Sequence, residues 1–151
     1  MSGELPPALL EAMYRQARAE FPNECCGFIL GTGDDAELVP CKNEQDRYHA
    51  VDPNNYPRTA ETAYTFGFKD LRRFNDSLAS AKPATIIYHS HPRVGAYFSA
   101  EDTRAALSAG WDIDYLVIDV QDSEVREAIC FRKHPSEARF VEVARYPGRE
   151  I

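Results

Sequence analysis

Tyr88-His89-Ser90-His91-Pro92-Arg93-Val94-Gly95-Ala96-Tyr97-Phe98-Ser99-Ala100-Glu101-Asp102 is the stretch that decides the reading of this chain. It follows Ala84-Thr85-Ile86-Ile87, a short β-branched run that reads as a buried strand. Side chains alternate along an extended chain, so His89 and His91 share a face and Ser90 points to the other. Pro92 has no N–H to give a ladder, so the strand is predicted to stop there with both imidazoles at its end. Ser99 then precedes a helix-like segment over residues 100–109, and Asp102 falls in its first turn. Two histidines on a strand end and a carboxylate on a helix start can converge on one ion. Catalytic zinc takes about three such N/O ligands and keeps a fourth position open. A second reading stands beside this one. Ser-x-x-Asp before an apolar helix is also a capping box, in which both side chains satisfy free backbone N–H groups.

Taken together, the residues form one long pattern: His-x-His, seven residues, Ser, two residues, Asp. On this pattern the chain resembles the JAMM/MPN+ zinc metalloproteases, in particular the small single-domain prokaryotic type. Pro22-Asn23-Glu24-Cys25-Cys26-Gly27-Phe28-Ile29-Leu30-Gly31 resembles the Glu-bearing strand of that family, placed after a first helix. The likeness runs from that helix to the strand near residues 115–120. It implies an α/β fold in which a mixed sheet is flanked by a long N-terminal helix and shorter helices, similar to cytidine deaminases. It also implies a Zn2+ cofactor held by His89, His91 and Asp102, with Glu24 as general acid–base and Ser99 as hydrogen-bond donor to the developing oxyanion. Zinc at such a site lowers the pKa of bound water from ~15.7 to about 7. On the residues alone Glu24 is not distinguished from Glu20 or Glu101, and an isolated Glu in a turn is ordinarily a surface group.

The activity implied is hydrolysis of an amide bond, isopeptide or peptide, after the C-terminal Gly-Gly of a ubiquitin-like protein. Some prokaryotic relatives act on the tails of ubiquitin-like sulfur carriers. The alternative is a non-catalytic scaffold or interaction module of the same fold, since many family members lack metal. Retention of the full set in this chain favours the enzyme.

Composition agrees with a globular domain. With 151 residues, 44% hydrophobic and 27% charged, the chain reads as a single domain over 1–151 with a substantial core. A formal charge of −7 argues against nucleic acid as a partner, which needs a basic face. No run is long enough to span a membrane and no basic segment with an apolar core opens the chain, so a cytoplasmic location is expected. Cys25, Cys26, Cys41 and Cys130 lack metal-ligand spacing, and adjacent Cys25 and Cys26 point to opposite faces of a strand, so reduced, buried thiols are expected.

Along the chain, residues 5–21 place Leu9, Leu10, Met13, Tyr14, Ala17 and Phe21 at helical spacing after Pro6-Pro7. Residues 26–30 read as a central strand, 31–35 as a hairpin turn and 36–41 as the return strand. Residues 43–66 are irregular and lengthened relative to the family, with strands expected near 48–51 and 63–66. The loop between them, around 52–63, is either a lid or solvated chain. Phe68, Leu71, Phe74 and Leu78 make a second amphipathic helix whose stripe is assigned to core packing. Gly110 closes the helix of residues 100–109. Residues 113–120 and 125–132 form antiparallel strands, 140–143 an edge strand and 146–151 a tail. His49 and His134 are assigned to the surface, and Glu101 points away from the metal. Phe98 stands where many relatives have proline; residues 96–98 form an apolar rim for a substrate tail, or Phe98 is core. Phosphate-binding glycine loops, Gly-x-Ser-x-Gly, His-Glu-x-x-His and the zinc-deaminase signature are absent.

Overall fold

A computed structural model of the chain describes residues 5–151. Residues 1–4, part of the expectation about the opening segment, lie outside the described residues. Helix α1 (Pro7–Glu20) begins with Pro7 at its first position and buries Leu10, Met13, Tyr14 and Ala17. Pro lacks an N–H that the first helical turn would leave unpaired anyway, which is why the helix starts there. Strand β1 (Cys26–Leu30) is buried at every position, as expected of a central strand. A short 3₁₀ turn at Gly33–Asp35 leads into β2 (Glu37–Cys41), which pairs antiparallel with β1.

The next segment departs from the sequence expectation. Residues 45–51 form helix α2 (Gln45–Val51) instead of a strand near 48–51. Asn43 Oδ1 accepts from the N–H of Gln45 at 3.0 Å and from Thr65 at 3.1 Å, so the side chain starts the helix and ties it to the returning chain. The strand expected at 63–66 is also absent as an element; only an isolated bridge joins Asn43 and Phe66.

Helix α3 (Phe68–Ser77) buries Phe74 but leaves Phe68 75% exposed and the following Leu78 40% exposed. The stripe is therefore core-facing only in its middle, which corrects its assignment to core along its whole length. Strand β3 (Ala84–Pro92) ends at the proline, helix α4 (Ala100–Ala109) follows, and Gly110 ends α4 at φ 70, a left-handed position that favours glycine. Strands β4 (Asp114–Val120) and β5 (Val125–Lys133) form the expected antiparallel pair. β6 (Phe140–Arg149) runs six residues past the expected edge strand, so the tail assigned to 146–151 is largely strand. Pro147 and Gly148 hid it. Proline is tolerated in an edge strand, where its missing N–H faces no neighbour.

The six strands form one mixed sheet in the order β2-β1-β3-β4-β5-β6. Only β3 and β4 run parallel, joined through α4. One face packs Met13, Tyr14 and Ala17 of α1 on Ile29, Ile86, Tyr88, Leu116 and Ile118. The opposite face packs Phe74 of α3 and Ala106 of α4 on Phe28, Ile87 and Tyr115. Each large apolar side chain buried here contributes about 1.5–3 kcal/mol. Gly27 is required where it stands, because a Cβ there would clash with the ring and hydroxyl of buried Tyr88. All four cysteines are buried and unpaired, with Cys25 and Cys26 in opposite layers. Among the described residues no helix is long and apolar enough to cross a membrane.

Candidate metal centre

The carboxyl end of β3 delivers His89 and His91 to the face shared with α3 and α4, and the N-terminus of α4 delivers Asp102. His89 is fully buried and His91 is 5% exposed. His89 Nε2 and His91 Nε2 lie 3.0 Å apart, and Asp102 Oδ2 lies 3.3 Å from the first and 3.2 Å from the second. Three donor atoms at ~2.0–2.1 Å from a tetrahedral zinc would stand about 3.3 Å from each other, so this triangle fits one face of such a site. Among the described residues this is the one His/Cys/Asp/Glu group whose ligand atoms converge in this way.

The surroundings prepare the donor set. His91 Nδ1 is 3.0 Å from the carbonyl oxygen of Gly95, so the ring's proton belongs on Nδ1 and the Nε2 lone pair faces the cluster. Gly95 reaches that position with φ 97, which favours glycine. His89 Nδ1 is buried without a hydrogen-bond partner. Its ring is held instead by Tyr64, stacked at 4.6 Å and 24°. Burial pulls the His89 pKa down, while Asp102 pulls it back up; the net direction is down, towards a neutral ring able to ligate. Burial alone would raise the Asp102 pKa, but His89 and His91 hold it well below the usual carboxylate range. A carboxylate and two neutral imidazoles are the donor set zinc takes.

Ser99 is the N-cap of α4. Its Oγ accepts from Asp102 N at 2.9 Å while Asp102 Oδ2 accepts from Ser99 N at 3.1 Å, so the capping box exists as such. The capping and metal readings thus coexist in the same carboxylate. The Ser99 hydroxyl proton has no acceptor among the described residues.

Glu24 is not a surface residue. It is 5% exposed, its N–H donates to Ala60 O at 2.7 Å, and its carbonyl accepts from Asn43 Nδ2 at 2.9 Å. Its carboxylate has no hydrogen-bond donor among the described residues. Burial, aided by the charge of Asp102 and opposed by Arg58, pushes its pKa up to about 9.

Glu24, His91, Ser99 and Asp102 line a cleft of about 880 Å³. The 54–66 segment forms one wall, and it is pinned: Gln45 Nε2 donates to Arg58 O at 2.9 Å and Ala60 N to Asp46 Oδ1 at 2.7 Å. Val94 and Tyr97 also line the cleft. Tyr97 is half exposed and packs edge-on to His91 at 5.0 Å. Phe98 packs on Tyr115, Phe131 and Phe140, so of the two readings of Phe98 the core one holds, and Ala96 is buried too. Glu101 pairs with Arg104, and His49 and His134 bond local backbone, all outside the cluster. Sequence reasoning missed Tyr64, the Gly95 carbonyl and the Asn43–Ala60 cradle of Glu24. Only Gly95 left a signal, as a glycine in the turn after the motif.

Fold and cluster together define a mixed α/β domain with a possible metal-binding site of two histidines and an aspartate. The chain belongs to the prokaryotic homologues of the JAB domain, whose family model matches residues 6–138. Strand β6 lies beyond the matched residues. The solution structure of protein DSY2949 from Desulfitobacterium hafniense is similar, with a TM-score of 0.58 and 23% identity, covering 91% of this chain and 86% of that one. A protein from Salinibacter ruber, also solved in solution, has a TM-score of 0.56 and 17% identity, covering 93% of this chain and 87% of its own. These two likenesses bear on the fold alone. No curated protein matches the chain.

Proposed function

We propose that this chain is a zinc-dependent peptidase or isopeptidase that hydrolyses the amide bond following the C-terminal Gly-Gly of a ubiquitin-like protein, a sulfur carrier among the candidates. The observation that carries the reading is the buried, donor-free Glu24 carboxylate in the same cleft as the His89–His91–Asp102 triangle. A scaffold has no chemical use for a carboxylate held there at the expense of its solvation.

Zinc bound by His89, His91 and Asp102 would supply Lewis acidity and a water ionisable near neutral pH. Glu24 takes the proton from the attacking water as its oxygen bonds to the carbonyl carbon. The same carboxyl then gives that proton to the leaving nitrogen as the C–N bond breaks, leaving a carboxylate and an amine. One carboxyl that first takes and then returns the same proton serves both halves of the reaction. The Ser99 hydroxyl, with its oxygen engaged by the Asp102 N–H and its proton uncommitted, donates to the oxyanion. An extended tail suits the cleft lined by the pinned 54–66 segment and Tyr97, and glycines without Cβ pass where bulkier residues would not.

The test is incubation of zinc-loaded protein with a sulfur carrier extended beyond its Gly-Gly, followed by intact mass. Cleavage after the second glycine, abolished when the penultimate glycine is valine, is expected. Free digestion of unrelated peptides would make the chain a general peptidase, and no cleavage of any extended carrier would favour a binding role.

A further inference from the structure

The register of β1 against β3 pairs Cys26 with His89 and Phe28 with Ile87. One step further, Cys25 meets Ser90 through a backbone hydrogen bond, and Glu24 comes just before it, lining the cleft with His91. In an antiparallel ladder a hydrogen-bonded pair exchanges both N–H···O=C bonds. Here one half is regular, with Ser90 N donating to Cys25 O at 3.1 Å. The other half is not. Cys25 N donates to the Ser90 side-chain oxygen at 2.7 Å. Immediately before Cys25, Glu24 N leaves the ladder altogether and donates to Ala60 O at 2.7 Å. The chain thus peels away from β3 at a point fixed by a side chain.

We propose that Ser90 is a positioning residue: by accepting the Cys25 N–H on its hydroxyl, it sets where the Glu24 carboxylate stands relative to His89 and His91. Ser90 is fully buried on the face opposite the imidazoles, so it acts on the cleft only through Cys25 and Glu24. Replacing it by alanine leaves the buried Cys25 N–H to find the ladder carbonyl or none, and either outcome moves Glu24. A misplacement of about 1 Å in a reacting group costs on the order of 10²-fold in rate. The kinetic part of this inference rests on the peptidase reading; the structural part does not.

The experiment compares wild type with Ser90→Ala and Ser90→Thr by amide hydrogen exchange, zinc stoichiometry and cleavage kinetics. In Ser90→Ala the Cys25 amide is expected to exchange about fivefold or more faster, with zinc content unchanged. Its kcat is expected to fall about 10–100-fold with KM within about threefold, and threonine, which keeps the hydroxyl, restores both readings. Should Ser90→Ala not fold, Ser90→Cys, of similar size but with a weak acceptor, carries the same readings. Unchanged Cys25 exchange, loss of zinc, or failure of threonine to restore either reading would overturn the proposal. Unchanged kcat despite faster exchange would overturn it as well. A wild-type protein that cleaves nothing would sink the peptidase reading, and the exchange result would still decide Ser90.

Discussion

His89 Nε2 and His91 Nε2 stand 3.0 Å apart, and both face Asp102 Oδ2. Two ring nitrogens this close on a buried strand end are well placed to share one cation. We expect one zinc per chain, lost in His91→Ala and in Asp102→Ala, by metal analysis of purified protein. Equal zinc in wild type and His91→Ala would sink the assignment.

Metal binding should also stabilise the fold. A ligand at 100 times its Kd adds about 2.7 kcal/mol, and at this chain length 1 kcal/mol moves Tm by about 2–4 °C. Chelation is therefore expected to lower Tm by roughly 5–10 °C in calorimetry. A Tm indifferent to chelator would mean that the triangle holds no ion in the folded protein.

Ser99 carries two roles that one substitution separates. Ser99→Ala removes an N-cap, with about 1 kcal/mol of stability. If its proton also serves the oxyanion, kcat falls by up to about 10²–10³. A stability loss with an unchanged kcat would reduce Ser99 to a helix cap.

The raised pKa of Glu24 makes a pH prediction for the metal-free protein. With a folded pKa pushed up to about 9 from the ordinary carboxyl value of 4.5, the folded state binds more protons than the unfolded state between those values. Its contribution is fully present below about pH 4.5 and is lost as pH rises towards 9. The Tm difference between Glu24→Gln and metal-free wild type should therefore grow in favour of the variant from pH 5 to pH 8. A difference independent of pH would show that Glu24 is already ionised when the protein is folded.

The readability of this chain follows from where packing leaves a pattern. His89, His91, Ser99 and Asp102 were legible because strand alternation and a first helical turn fix their directions locally. Cys26–Leu30 was legible because a fully buried strand must be apolar throughout. Helix α2 was not: only Gln45 of its seven residues is buried, and Val51 is 80% exposed, so no apolar period marks it. The burial of Glu24 was equally hidden, since it depends on Ala60 and Asn43, bonded to it across long stretches of sequence. Tyr64 stacks on His89 from the same irregular segment, and nothing in its neighbours announces it.

The central claim, that Glu24 performs acid–base work beside a metal held by His89, His91 and Asp102, is tested most directly by one comparison. Zinc-loaded wild type and zinc-loaded Glu24→Gln are mixed with a Gly-Gly-extended carrier, and single-turnover cleavage is followed by intact mass. The account predicts equal zinc content and a rate lower by about 10²–10⁴-fold in the variant. Near-equal cleavage by the two zinc-loaded proteins would contradict it.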